Sequence, residues 1–409
     1  MQNETEQGIG KKTYRITLVI IFTTLLLFGI LENIKSVAFP LIKSEFGTNY
    51  DEQGGLAAFS WFGYVIFCFI ATLAIQKFGI KKSIMTGYAL IICGICATFF
   101  APNFIMVTIA LWIINTGFGF FEVGANSLAS MTFTKKTALM LSLMHFFYGV
   151  GAIIAPILSG IAINSFDVSW RVIYAVMVIP VVFMLIFIFK TKMNKNVEKP
   201  QEAQHEVKLN FVSVVKLPLV ILFCLLLGLM EVIEFSVANW GNFYLSDALH
   251  LDVATTGALF VSVFYILFTL SRLVMAPAIE KIGYYRTMFL AVGSTIVLYI
   301  VGLLSKTSGI WALCATGFFI GIMWPTLMCI VFKIYKERSP MVSSVIITIS
   351  GAINGVMQLA TGWVMQRAGS LIGFSMSIVY CCITIILLLL IIKQSKTQKV
   401  ISRLSAIAK

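Results

Sequence analysis

Residues 56–75, Leu-Ala-Ala-Phe-Ser-Trp-Phe-Gly-Tyr-Val-Ile-Phe-Cys-Phe-Ile-Ala-Thr-Leu-Ala-Ile, run for twenty positions without a charge. They end at Gln76-Lys77-Phe78-Gly79-Ile80-Lys81-Lys82. A helix of about 20 apolar residues crosses roughly 30 Å of hydrocarbon, and the basic loop beyond it marks where such a helix meets water. Similar runs stand at Ile16 to Leu31 and Ser83 to Phe100, and the pattern continues along all 409 residues, 59% of which are hydrophobic. No soluble core buries that much apolar surface, so lipid is the solvent. The spacing predicts twelve transmembrane helices: 16–42, 51–76, 83–100, 104–133, 137–163 and 170–190, then 216–245, 254–280, 286–305, 309–334, 340–366 and 371–392. The expected fold is an all-α membrane protein of two six-helix bundles, 1–190 and 216–409. A polar linker at 191–215 joins them, with an interfacial segment near Leu209 to Val215.

The net charge of +13 is not a nucleic-acid footprint, because the basic residues occupy alternate loops. Lys77, Lys81 and Lys82 follow the second span, Lys135 and Lys136 the fourth, and Lys190, Lys192, Lys195, Lys199 and Lys208 the sixth. Lys281 and Arg286, then Lys333, Lys336 and Arg338, continue the alternation. The intervening loops carry Glu45, Asp51, Glu52, Asp167, Asp247 and Asp252. The positive-inside rule places the basic loops and both termini in the cytoplasm of a cell-membrane protein. The eight cysteines fall within apolar spans, where thiols act as small hydrophobes rather than a disulfide framework. Cys93-x-x-Cys96 lacks the strand context of a redox motif.

The halves echo each other. Thr116-Gly117-Phe118 returns as Thr316-Gly317-Phe318, Gly151-Ala152-Ile153 as Gly351-Ala352-Ile353, and Ala74-Ile75-Gln76-Lys77-Phe78-Gly79 as Ala278-Ile279-Glu280-Lys281-Ile282-Gly283. Such half-to-half repeats place a solute site near the bilayer midplane at their interface.

On these residues the chain resembles the major facilitator superfamily over essentially its whole length. Within that superfamily it is most similar to the fucose permease-like sugar:proton symporters. Four segments carry the likeness: Phe121-Glu122-Val123-Gly124-Ala125-Asn126, Tyr148 to Pro156, Ile320-Gly321-Ile322-Met323-Trp324-Pro325-Thr326, and Ser343-Ser344-Val345-Ile346 with Gly351-Ala352-Ile353. The resemblance implies alternating access and proton-coupled import of a sugar or polyol, with no enzymatic activity and no cofactor. It departs at Gln76, where the family's loop commonly has aspartate, and at Ser36, where fucose permease has a first-helix aspartate four residues before the proline matching Pro40.

Ionisable groups inside a bilayer are costly and point to function. Glu122 has no cation within two turns on its own helix; burial then favours its neutral form, the property a proton-coupling residue needs. Glu32 is a second coupling candidate. Lys35 lies three residues away on the same face, where the two can instead form a structural ion pair. Arg272 is expected to pair with Glu231 or Glu234, or to snorkel. Glu231 is preferred to Glu234 for solute. Asn239, Trp240, Asn242 and Tyr244 follow on the same helix; acids and amides suit hydroxyls, and a ring suits an apolar C–H face. Trp240 and Tyr244 also fit an interfacial belt. Asn126, His145, Tyr148, Trp324, Asn354 and Gln358 complete the expected lining, although buried amides often only join helices. Glycines within the spans read as packing surfaces.

The expected partners are a sugar-like solute, protons and the bilayer, with no metal or nucleic acid, and the carrier is expected to be a monomer. A proton-driven exporter of drugs or amphiphiles, with Glu122 and Glu231 attracting cations, uses the same features. A membrane sensor that binds solute without moving it would ordinarily carry a soluble signalling domain.

Overall fold

The structure is a computed structural model and describes residues 11–132, 137–191, 214–335 and 339–407. Lys135, Lys136, Lys336, Arg338 and residues 192–213 of the expected linker lie outside the described residues. Among the described residues, twelve helices are long and apolar enough to span a bilayer. In chain order they are α1 (Thr13–Phe46), α2 (Tyr50–Phe78), α3 (Ile80–Phe100), α4 (Phe104–Ala129), α5 (Leu143–Phe166) and α6 (Trp170–Lys190). The second half gives α7 (Pro218–Leu249), α8 (Val253–Val274), α9 (Tyr284–Leu304), α10 (Lys306–Tyr335), α11 (Val342–Ala368) and α12 (Ser370–Ser395).

The repeat is visible in local chemistry about 200 residues apart. Asn49 caps α2 by accepting from the Glu52 N–H at 2.8 Å, and Glu52 returns a bond to the Asn49 N–H. Asp252 caps α8 by accepting from the Thr255 N–H at 2.7 Å. Such bonds satisfy donors that a helix start leaves unpaired. Gly79 and Gly283 take φ of 88° and 92°, a region that favours glycine, where α2 and the extension of α8 turn into the next helix. The Thr116 hydroxyl donates to Ile113 O at 2.6 Å, and the Thr316 hydroxyl to Leu313 O at 2.5 Å. Between the halves, α2 packs on α11 and α5 on α8, pairs that exchange under the two-fold relation.

Five spans among the described residues are interrupted where the sequence reading drew continuous helices, α6 among them at Met177, three residues before Pro180. The α1 helix breaks at Ile34 and α7 contains a π-helical turn at Ser236–Trp240, near-equivalent places in the two halves. The α8 helix stops before Met275, and Ala276–Ile282 forms a separate helix; the expected span 254–280 therefore joined two elements. Pro277, in the first turn of the new helix, explains the stop. The α10 helix breaks at Ile322, three residues before Pro325.

A proline cannot supply the N–H that would bond the carbonyl four residues earlier. Pro40 thereby leaves the Ser36 carbonyl of α1 unused, and Asn242 of α7 donates to it at 2.6 Å across the two halves. Around this bond the halves meet at the end carrying the acidic loops. Lys43 lies 3.3 Å from Asp247, the Tyr50 hydroxyl donates to Asp247, the Tyr50 N–H donates to Gln366 at 3.0 Å, and Arg367 lies 3.3 Å from Asp51. Exposed ion pairs contribute little singly; the buried Asn242–Ser36 bond is the stronger link.

Candidate functional site

Between the halves lies a cavity of about 140 Å³, enough for several water molecules. Leu25 and Phe28 of α1, Trp61 and Tyr64 of α2, Glu122 of α4 and His145 and Tyr148 of α5 form one side. Glu231, Glu234 and Phe235 of α7, Arg272 of α8, Trp324 of α10 and Ile347 and Gly351 of α11 form the other.

Glu122 stands in this wall. Asn126, one turn on, donates from Nδ2 to Glu122 Oε1 and to its backbone carbonyl, both at 2.8 Å. Asn126 therefore orients the carboxyl and is not itself among the lining residues. No lysine or arginine lies within ion-pair distance of Glu122 among the described residues.

Glu32 behaves differently. Lys35 Nζ lies 2.9 and 2.7 Å from its two oxygens, both side chains are buried, and Lys35 also donates to Asn115 Oδ1 at 3.2 Å. The geometry is that of a closed ion pair at the break in α1, behind the cavity wall. Asn115 of α4 was not among the sequence candidates. Its spacing of seven from Glu122 puts both on one face of α4, which was the available signal.

On α7 the roles are less uneven than expected. Both Glu231 and Glu234 line the cavity. Ser350 Oγ lies 2.9 Å from Ile347 O and 3.3 Å from Glu231 Oε1. Its single proton serves one of them, and Glu231 Oε2 has no hydrogen-bond partner among the described residues. Trp240 and Gln358 do not face the cavity: Trp240 Nε1 donates to Gln358 Oε1 at 2.6 Å, and Gln358 Nε2 donates to Asn354 Oδ1 at 3.2 Å. All three are buried and tie α7 to α11. Asn239 is likewise buried, in the π-helical turn, outside the lining. Trp240 and Tyr244 are each 1% exposed, so neither belongs to a lipid-facing belt.

His145 and Tyr148 line the cavity; the His145 ring lies 5.9 Å from the Trp324 ring, and Tyr148 meets Phe28 edge-on at 5.2 Å. Arg272 also faces the cavity and makes no salt bridge with Glu231 or Glu234. Its Nε donates to Gly321 O at 3.0 Å and its guanidinium lies 4.3 Å over the Phe268 ring. Trp61 and Tyr64 escaped the sequence reading; a Trp and a Tyr three apart in a span of aliphatic and Phe residues were the trace they left.

Residues 21–350 match the Major Facilitator Superfamily, and the chain belongs to that family of membrane carriers. It is not an enzyme. It is 26% identical over 336 residues to the cis,cis-muconate transport protein of Acinetobacter baylyi, covering 78% of this chain and 80% of that one. It is 22% identical over 389 residues to a glucose/galactose transporter of Brucella abortus, covering 90% and 92%. A crystal structure of the Escherichia coli fucose:proton symporter superposes with a TM-score of 0.60 at 18% identity, covering 91% of this chain and 99% of that chain.

Proposed function

We propose that this chain is a secondary active transporter that carries a small sugar-like or polyol solute into the cell together with protons, by alternating access. The observation that carries this reading is Glu122, a carboxyl held by Asn126 in the wall of the inter-half cavity with no cation at ion-pair distance. A charged carboxylate in a closed, dry state bears a large desolvation penalty that a protonated one avoids. Protonation therefore biases the conformational equilibrium, and a solute that favours the same state is linked to the proton.

The remaining lining suits a hydroxylated solute. Glu231 Oε2 offers an unused acceptor to a hydroxyl, and Trp61 and Trp324 offer rings to apolar C–H faces. The names of the glucose/galactose and fucose:proton relatives support a sugar; the muconate transport protein is named for something else, so kinship supports a small organic solute more firmly than a sugar. In this account the basic loops and both termini are cytoplasmic, and a monomer in the cell membrane suffices.

The test is uptake by proteoliposomes containing the purified chain, across a panel of labelled sugars and polyols, with and without an inside-alkaline proton gradient. Accumulation that requires the gradient and collapses with a protonophore is expected. Absence of uptake for every member, with proton-driven movement of amphiphilic cations instead, would replace this function by export.

A further inference from the structure

Arg272 is unexpected in a cavity for neutral sugars. An arginine head inside a membrane protein is costly unless it is partnered, yet no carboxylate among the described residues lies within 4.0 Å of it. Its position is nevertheless built. Pro325 cannot donate to the Gly321 carbonyl, and that carbonyl accepts from Arg272 Nε at 3.0 Å instead. A Cβ at residue 321 would fall 2.3 Å from Phe268 O and 2.4 Å from Ser271 Oγ, so glycine is what lets α10 come close enough to α8 for this bond. Phe268 supports the flat face of the guanidinium at 4.3 Å. Fixed at Nε and along one face, the guanidinium keeps both terminal NH2 groups free of protein hydrogen bonds among the described residues, on a side chain that lines the cavity. Two parallel N–H groups on a rigid planar fork match a carboxylate bidentately.

We infer that Arg272 is the anchor for a carboxylate on the transported solute, and hence that the solute is a small polyhydroxy acid, such as a sugar acid, rather than a neutral sugar. This inference rests on the function proposed above and narrows its solute class. Glu234 of α7, which lines the same cavity as Arg272, is the resident counter-charge that the solute carboxylate replaces. The other ionisable groups around the fork are His145 and Tyr148 of α5 and Tyr265 of α8, with Glu231 beside Glu234 on α7 and Glu122 across the cavity on α4. An anion entering among three carboxyls is repelled while they are charged and admitted once they are protonated. Its binding therefore weakens as pH rises, which ties anion loading to proton loading.

The test measures binding of D-glucose, D-gluconate and D-glucuronate to the purified full-length chain by titration calorimetry at pH 6 and pH 8. The two acids are expected to bind more tightly than glucose at pH 6, and less tightly at pH 8 than at pH 6. In Arg272→Gln the acid-to-sugar affinity ratio should fall about 10- to 100-fold, the range for a lost charge-assisted contact. Glu234→Gln, which removes the competing counter-charge, should strengthen acid binding at pH 8; this second variant decides the matter if Arg272→Gln does not elute as a monodisperse protein. Glucose binding at least as tight as the acids, an unchanged ratio in Arg272→Gln, or no effect of Glu234→Gln would overturn the anion anchor while leaving the sugar carrier standing. Failure of all three compounds to bind would overturn both.

Discussion

Replacing Lys35 by methionine should strand Glu32 inside the protein. In the wild type the two are buried at 2.7 and 2.9 Å, with Asn115 as a third partner and the Phe118 ring 5.9 Å from the ammonium. Removing one member of a buried pair leaves an uncompensated charge and costs about 3 to 5 kcal/mol, whereas replacing both by apolar or neutral groups is often close to neutral. Lys35→Met and Glu32→Gln should each lower stability, and the double variant should recover most of the loss, giving a coupling of at least about 2 kcal/mol. Denaturant unfolding of the four proteins in one mild detergent closes that cycle. Additive single effects, with coupling under about 0.5 kcal/mol, would refute the closed pair. The same cycle separates the two roles of Glu32. A double variant that folds and still accumulates solute against its gradient marks Glu32 as structural, while loss of accumulation in both the single and the folded double variant marks it as part of the proton path.

Asn242→Ala removes the bond to the Ser36 carbonyl that Pro40 leaves open. A buried carbonyl without a partner costs about 1 to 3 kcal/mol, so the state with the acidic-loop ends together should lose population roughly tenfold. Distances between spin labels at Glu52 and His250 would report this, and an unchanged distribution would contradict it. Pro325→Ala returns an N–H that competes with Arg272 for Gly321 O, and initial uptake should fall several-fold in a protein that remains monodisperse; unchanged uptake would detach Pro325 from the site. A cysteine placed at residue 199 should resist an impermeant reagent in intact cells, and its labelling there would invert the topology.

The spans and their grouping into two related halves were legible because the length of an apolar run and the side carrying lysine are local properties that add along the chain. The breaks were harder to read. A proline announces a missing bond, but whether the helix stops or bends depends on who takes the freed carbonyl, and Asn242 and Arg272 come from other helices. The candidate site divides in the same way. Glu122, His145, Tyr148, Glu231 and Trp324 line the cavity. Trp240, Asn354 and Gln358 carry the same types of group in the same kind of span, yet they bond one another, and nothing in spacing alone distinguishes an amide facing an amide from one facing a cavity. Arg272 was read as a paired structural cation because burial of charge normally demands a partner; the hydrogen bond it makes goes to a backbone carbonyl, which has no sequence signature beyond Gly321 and Pro325.

The central claim, that Glu122 carries the coupled proton, is tested most directly by Glu122→Gln in proteoliposomes with the solute identified by the uptake panel. The glutamine keeps the shape of the protonated acid and cannot release a proton. The account predicts that accumulation driven by an inside-alkaline gradient, and proton flux with it, disappears while solute-for-solute counterflow persists. Uphill accumulation with normal proton flux in Glu122→Gln would contradict it and move the coupling to another carboxyl.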